Sequence, residues 1–122
     1  LRGVWHMDVN CINPHTGRPF VKDFFKKHAR DKPCLVRIAS TYGLNCAGRE
    51  TTVLAHIALP GLRGIAKKTN DLLGAWACDT CHGIVDGRIK VLAEKNEISL
   101  YHLEGMARTI DELIRDGYLP QP

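Results

Sequence analysis

Nothing in the 122-residue sequence approaches the roughly 20 uninterrupted apolar residues that a membrane-spanning helix needs. The opening Leu1, Arg2, Gly3, Val4 and Trp5 also lack the long apolar stretch of a secretory signal. These absences favour a soluble, cytoplasmic protein without a membrane partner. The chain opens on leucine, not methionine, so residues 1 to 10 are set aside from the fold reading. No internal repeat and no low-complexity tract breaks the chain up. With 44% apolar and 25% charged residues, it fits one compact domain with a modest core, which a structural metal would help to hold. Neither sign of charge dominates: 17 Lys plus Arg against 13 Asp plus Glu give +4, compatible with a polyanionic partner without demanding one. An even cysteine count is missing too, and five cysteines argue against a closed disulfide framework. No βαβ pattern surrounds the Cys-x-x-Cys pair, which disfavours a redox motif.

What the cysteines do offer is a metal site. Cys78-Asp-Thr-Cys81 is a tight pair at an expected helix start, and Cys34-x11-Cys46 is a looser one, so the four can supply a tetrahedral thiolate set for zinc. The eleven-residue spacer is wider than a usual zinc knuckle. Cys11 or His15 as a substitute ligand, and Cys34 as a small buried hydrophobe, therefore stay open.

The remaining pattern predicts an α+β fold. Residues 11–19 are turn-rich and expected to be irregular, and 20–30 place Phe20, Phe24 and Phe25 at helical spacing, with Pro33 beyond. Residues 34–38 are short and β-prone, and a turn-rich loop containing Cys46 follows. Residues 51–58 read as a mostly buried strand, 61–70 as a long surface loop, and 71–77 as a second apolar run. A helix should then run from the Cys-x-x-Cys pair to about Asp86, and an amphipathic one over 97–116, ending at Gly117. Residues 88–95 fit strand or helix equally. Two stretches are locally basic: Lys22, Lys26, Lys27, Arg30 and Lys32, and Arg63, Lys67 and Lys68. Solvated faces would explain either one as well.

Three polar residues stand out. His56 lies between Ala55 and Ile57 on an apolar strand, where an imidazole is either a general base or a core histidine satisfied by a carbonyl. His82 and Asp86, four residues apart on one helix, can face one divalent ion such as magnesium, manganese, nickel or zinc. The competing possibilities are a His82 that joins the zinc site and an Asp86 that merely ends the helix.

This order of features resembles the ββα-metal, or His-Me finger, nucleases of the HNH type: His56 on a strand, a Gly-rich loop with Asn70 and Asp71, a second strand, then Cys-x-x-Cys-His-x3-Asp. More closely, residues 32–115 resemble the prophage-encoded YbcO-type nuclease family. The segments that carry the likeness are Cys34-Leu-Val-Arg-Ile, Glu50-Thr-Thr-Val-Leu-Ala-His-Ile, Asp71-Leu-Leu-Gly-Ala-Trp-Ala-Cys, Cys81-His82 and Leu103-Glu-Gly-Met-Ala-Arg-Thr109.

The resemblance implies a zinc-stabilised ββα-metal core with flanking helices over 31–122, preceded by an extension over 1–30 that holds one helix. It implies hydrolysis of DNA phosphodiester bonds, with His56 as base, Asn70 or Asp71 orienting it, and a catalytic ion at His82 and Asp86. Arg37, Arg49, Arg63, Lys67, Lys68 and Arg88 would contact phosphates. Ala55 departs from the pattern, because many HNH nucleases carry an Asp ligand there. That departure favours the alternative of a non-catalytic zinc module binding nucleic acid or a phage protein.

Overall fold

The computed structural model describes residues 12–58 and 70–120. Cys11, Arg63, Lys67, Lys68 and all of the expected loop except Asn70 lie outside them. The chain begins with a small hairpin, β1 (Ile12–Asn13) and β2 (Arg18–Pro19), where a turn-rich irregular stretch was expected. Gly17, at φ 71°, closes its turn by donating to the Asn13 carbonyl at 2.8 Å. His15 Nε2 donates to the Asp116 carbonyl at 2.6 Å, so the hairpin is tied to the far end of the chain.

Helix α1 covers Phe24–His28, shorter than the expected 20–30 because Asp23 adopts a left-handed conformation (φ 61°) immediately before it. Its anchor is aromatic: Phe24 stacks on His28 at 5.2 Å, both rings meet Tyr118, and Ala29 is fully buried beside Trp76 and Leu113.

Two strands form the centre. β3 (Val53–His56) pairs antiparallel with β4 (Gly74–Ala77), with Leu54 opposite Trp76 and His56 opposite Gly74. The free edge of β4 is satisfied by side elements, since Thr109 Oγ1 accepts from Trp76 N at 3.0 Å and the Trp76 carbonyl accepts from Leu35 N at 2.8 Å. Helix α2 (Asp79–Val85) follows directly and ends before Gly87 at φ 85°. Residues 88–94 contain no regular element. The long helix α3 (Lys95–Arg115) runs close to its expected bounds and ends ahead of Gly117 at φ 80°. It buries His102, Gly105, Thr109 and Leu113, a stripe spaced three and four residues apart, and that stripe covers β4.

Residues 34–38 form no strand. Leu35, Val36 and Ile38 point into the core, but Arg37 stands between them at φ 57°, which turns the backbone back toward Cys34. Helix α3 locks this turn. A Cβ on Gly105 would lie 2.8 Å from Val36 Cγ2 and 2.9 Å from Val36 Cα, and Arg108 Nη1 donates to the Leu35 carbonyl at 2.8 Å. Among the described residues, no helix is long and apolar enough to cross a membrane.

Candidate metal centre and candidate active site

The sulfurs of Cys34, Cys46, Cys78 and Cys81 all lie within 4.8 Å of one another, and Cys46 Sγ and Cys81 Sγ are 3.6 Å apart. Four thiolates about 2.3 Å from a tetrahedral zinc would sit about 3.8 Å from each other, so the spacing suits such an ion. Cys78 and Cys81 are fully buried, Cys34 is half-buried and Cys46 is exposed at the rim. Local backbone geometry aims them. Cys78 caps α2 and its sulfur accepts from Cys81 N at 3.4 Å, while Ala47 N donates to the same sulfur at 3.3 Å. His15 is spent on the Asp116 carbonyl and does not join the set.

The electrostatics of Cys34, Cys46 and Cys81 agree with the spacing. A hydrogen bond from the Cys81 thiol, helped by the Arg37 and Cys78 amides and opposed by burial, holds Cys34 down at about 4. The same bond to Cys34, with burial, pushes Cys81 far above the ordinary thiol range. Burial first, then the charge on Cys34, raises Cys46 to about 11. The Cys34 thiolate thus forces Cys46 and Cys81 to keep their protons, because further negative charge in this space is too costly without a cation to share it. A divalent ion such as zinc reverses that balance and draws off the remaining protons. The four cysteines can therefore hold a metal of that kind.

At the end of β3 away from Cys78, His56 Nε2 lies 2.7 Å from Asp71 Oδ1, with both side chains about 30% exposed. A carboxylate accepts hydrogen bonds, so Asp71 fixes the tautomer with a proton on Nε2 and leaves Nδ1 as the basic nitrogen. Asn70 is engaged elsewhere: its Oδ1 accepts from Leu72 N and its carbonyl from Leu73 N, both at 2.8 Å. That turn presents Asp71 to His56.

His82 and Asp86 share a face of α2, with Nε2 and Oδ2 3.7 Å apart, a span that one ion with ligands at about 2.1 Å each can bridge. Asp86 is in demand, however. Its Oδ1 accepts from Arg88 N at 2.9 Å, and its Oδ2 lies 3.9 Å from Arg88 Nε. Among the described residues, the four sulfurs are the one group of three or more metal-ligating side chains. Ala55, next to His56 on β3, is buried in the core.

His102 was not singled out in the sequence. It is buried on α3 and its Nε2 donates to the Ala55 carbonyl at 2.8 Å. Burial lowers its pKa, the carbonyl opposes that, and both His82 and His56 are near enough to add a lowering charge. Three imidazoles therefore gather around the end of β3. The signal was present as a histidine on the apolar stripe of α3, four residues after Ile98.

The expected phosphate-binding cations have various fates. Arg37 is exposed. Arg49 donates twice to the Asp31 carbonyl, at 2.9 and 3.1 Å, and Arg88 also reaches the Asp79 carbonyl and carboxylate at 3.3 and 3.4 Å.

The fold and its sulfur cluster define a small α+β protein with two short sheets and a four-cysteine site able to hold a metal. Sequence comparison then places it more narrowly. The protein-family profile described as "Putative nuclease YbcO" matches residues 24–118, and the chain belongs to that family. Proteins named "Putative nuclease YbcO" in Escherichia coli K12 and "Putative nuclease ybcO" in Enterobacteria phage 82 are each 39% identical over 95 residues, covering 77% of this chain and 94% of theirs. A solved structure of "a putative bacteriophage protein" from Escherichia coli K-12 substrain MG1655 is similar at TM-score 0.59 and 34% identity, covering 77% of this chain and 100% of that one.

Proposed function

We propose that this protein is a metal-dependent endonuclease of phage or prophage origin that hydrolyses DNA phosphodiester bonds. The observation that carries the reading is the 2.7 Å contact between His56 Nε2 and Asp71 Oδ1, next to the His82 and Asp86 pair, in a family named for nucleases. In this reading β3, β4 and α2 are a ββα-metal unit of the HNH kind, and the four cysteines hold structural zinc.

His56 Nδ1 takes a proton from the attacking water, and Asp71 stabilises the imidazolium that results. Asn70 is a positioning residue that holds Asp71 through its turn. His82 and Asp86 would hold a divalent ion, which supplies Lewis-acid stabilisation to the scissile phosphate and the leaving oxygen. His102, its Nε2 committed to the Ala55 carbonyl, holds the end of β3 and with it the His56 ring.

A second reading, a non-catalytic zinc module that binds nucleic acid or a phage protein, is favoured by the two-residue ion site and by Arg88 competing for Asp86. Cleavage of plasmid and single-stranded DNA with magnesium, manganese or nickel, beside H56A and an elemental zinc count, separates the two. Ion-dependent nicking lost in H56A supports the nuclease. DNA binding without cleavage under any ion, with zinc retained, supports the module.

A further inference from the structure

Several of the described cations are committed to the protein itself. Arg49 holds the Asp31 carbonyl, Arg88 the carboxylates of Asp79 and Asp86, Arg108 the Leu35 carbonyl, and Arg115 those of Asp111 and Glu112. Lys32 lies over the Trp76 ring at 5.7 Å. Lys26, Lys27 and Arg30 differ. All three are exposed, and among the described residues none of them has a carboxylate within 4.0 Å.

These three cations line a cleft of about 470 Å³ between α1 and β3. Val53 and Leu54 of β3 complete its wall, His82 lies in it, and Asp23 is the one acid that borders it. Val53 is 40% exposed and gives the cleft an apolar surface beside its positive one. Cations along one side with apolar contact on the other suit a nucleic-acid strand, whose phosphates and whose sugars and bases present those two characters. The basic wall is also fixed in place. Lys26 and Lys27 are in the last turn of a helix held by the Phe24, His28 and Tyr118 rings, and Arg30 follows the buried Ala29.

Building on the nuclease reading, we infer that this cleft is the track for the substrate strand: Lys26, Lys27 and Arg30 hold the phosphates next to the one presented to His82 and His56. The sequence placed the phosphate contacts on other residues, none of them on α1.

The test is DNA binding as a function of salt, measured on the zinc-loaded H56A protein so that cleavage does not interfere, with and without K26Q, K27Q and R30Q combined. K95Q on α3 serves as the control. Three phosphate contacts contribute a salt slope of about 2.1 for single strands or about 2.7 for duplex, and that much should vanish in the triple variant while K95Q keeps the full slope. Unimpaired binding with an unchanged slope overturns the track, as does an equal loss in K95Q. A second measurement separates this proposal from the nuclease reading. If the protein with His56 intact never cleaves DNA but the triple variant still loses its slope, the nuclease fails and the cleft stands as a nucleic-acid surface. If that protein cleaves and the triple variant cleaves with the same KM, the track is elsewhere.

Discussion

The carbonyl of Ala55 accepts a 2.8 Å hydrogen bond from His102 Nε2, a link across 47 residues that fastens α3 to the strand carrying His56. Removing it leaves a buried carbonyl without its partner. H102A should lose about 1–3 kcal/mol of stability, while H102Q, able to donate from its amide, should recover part of that. Urea denaturation of the three proteins measures it, and equal midpoints would show that the bond contributes nothing.

Asp71 is expected to act through His56. D71N keeps the shape but presents an amide that can donate, so it no longer fixes the Nε2 proton. Turnover on plasmid DNA should fall by about 100-fold or more, within the range for general-base catalysis, with DNA affinity unchanged. A D71N enzyme with normal kcat would remove Asp71 from the mechanism.

The sulfur cluster should be inseparable from folding. C78S or C81S, or prolonged chelation, should abolish cooperative melting, because metal ligation in a small domain is folding free energy. A soluble, metal-free variant that still melts cooperatively would contradict this.

Gly105 lies where α3 meets the Cys34 turn. G105A pushes a methyl group against Val36 Cα and within 3.2 Å of the Leu35 carbonyl, neither of which can swing aside. A loss of about 1–3 kcal/mol is expected from overpacking. Thermal melting that matches the parent protein would mean that the turn yields.

Acid should weaken the fold through His28 as well as through the thiolates. Burial, then Lys32 and more weakly His15, lowers its pKa from 6.5 against the pull of Asp116, and its Nε2 is buried without a partner among the described residues. The unfolded chain therefore takes up this proton at a higher pH than the folded one. Stability is full above 6.5 and declines as pH falls from there toward the folded value, and His102 acts in the same direction. H28F should flatten the decline in that window, and an identical pH profile would exclude His28 as a cause.

Much of this site could be read from residue order. Cys78 and Cys81 announce themselves because their spacing is a local property of a helix start, and His82 with Asp86 follows from helical periodicity. His56 with Asp71 was legible as a pair of candidates, but the choice between Asn70 and Asp71 depended on which way one turn faces. The Cys34 segment was misread as β-prone. Its Leu35, Val36 and Ile38 are buried against both the sheet and α3, but the left-handed Arg37 that keeps the segment from extending as a strand is invisible to propensity. The cations were harder still. Arg49 and Arg88 look like Lys27 and Arg30 in a sequence, and which of them is already occupied depends on carbonyls and carboxylates that only the folded chain brings near.

Cys46 and Cys78 bracket 31 residues that leave the sulfur cluster along β3 and return to it along β4. A bound ion would close this excursion into a ring. The cost of closing a ring grows only with the logarithm of its length, so even doubling the whole ring costs about 0.6 kcal/mol. Lineages can therefore lengthen or shorten the link between β3 and β4 at small thermodynamic expense, while the two strand ends that carry His56 and the sulfurs stay in register.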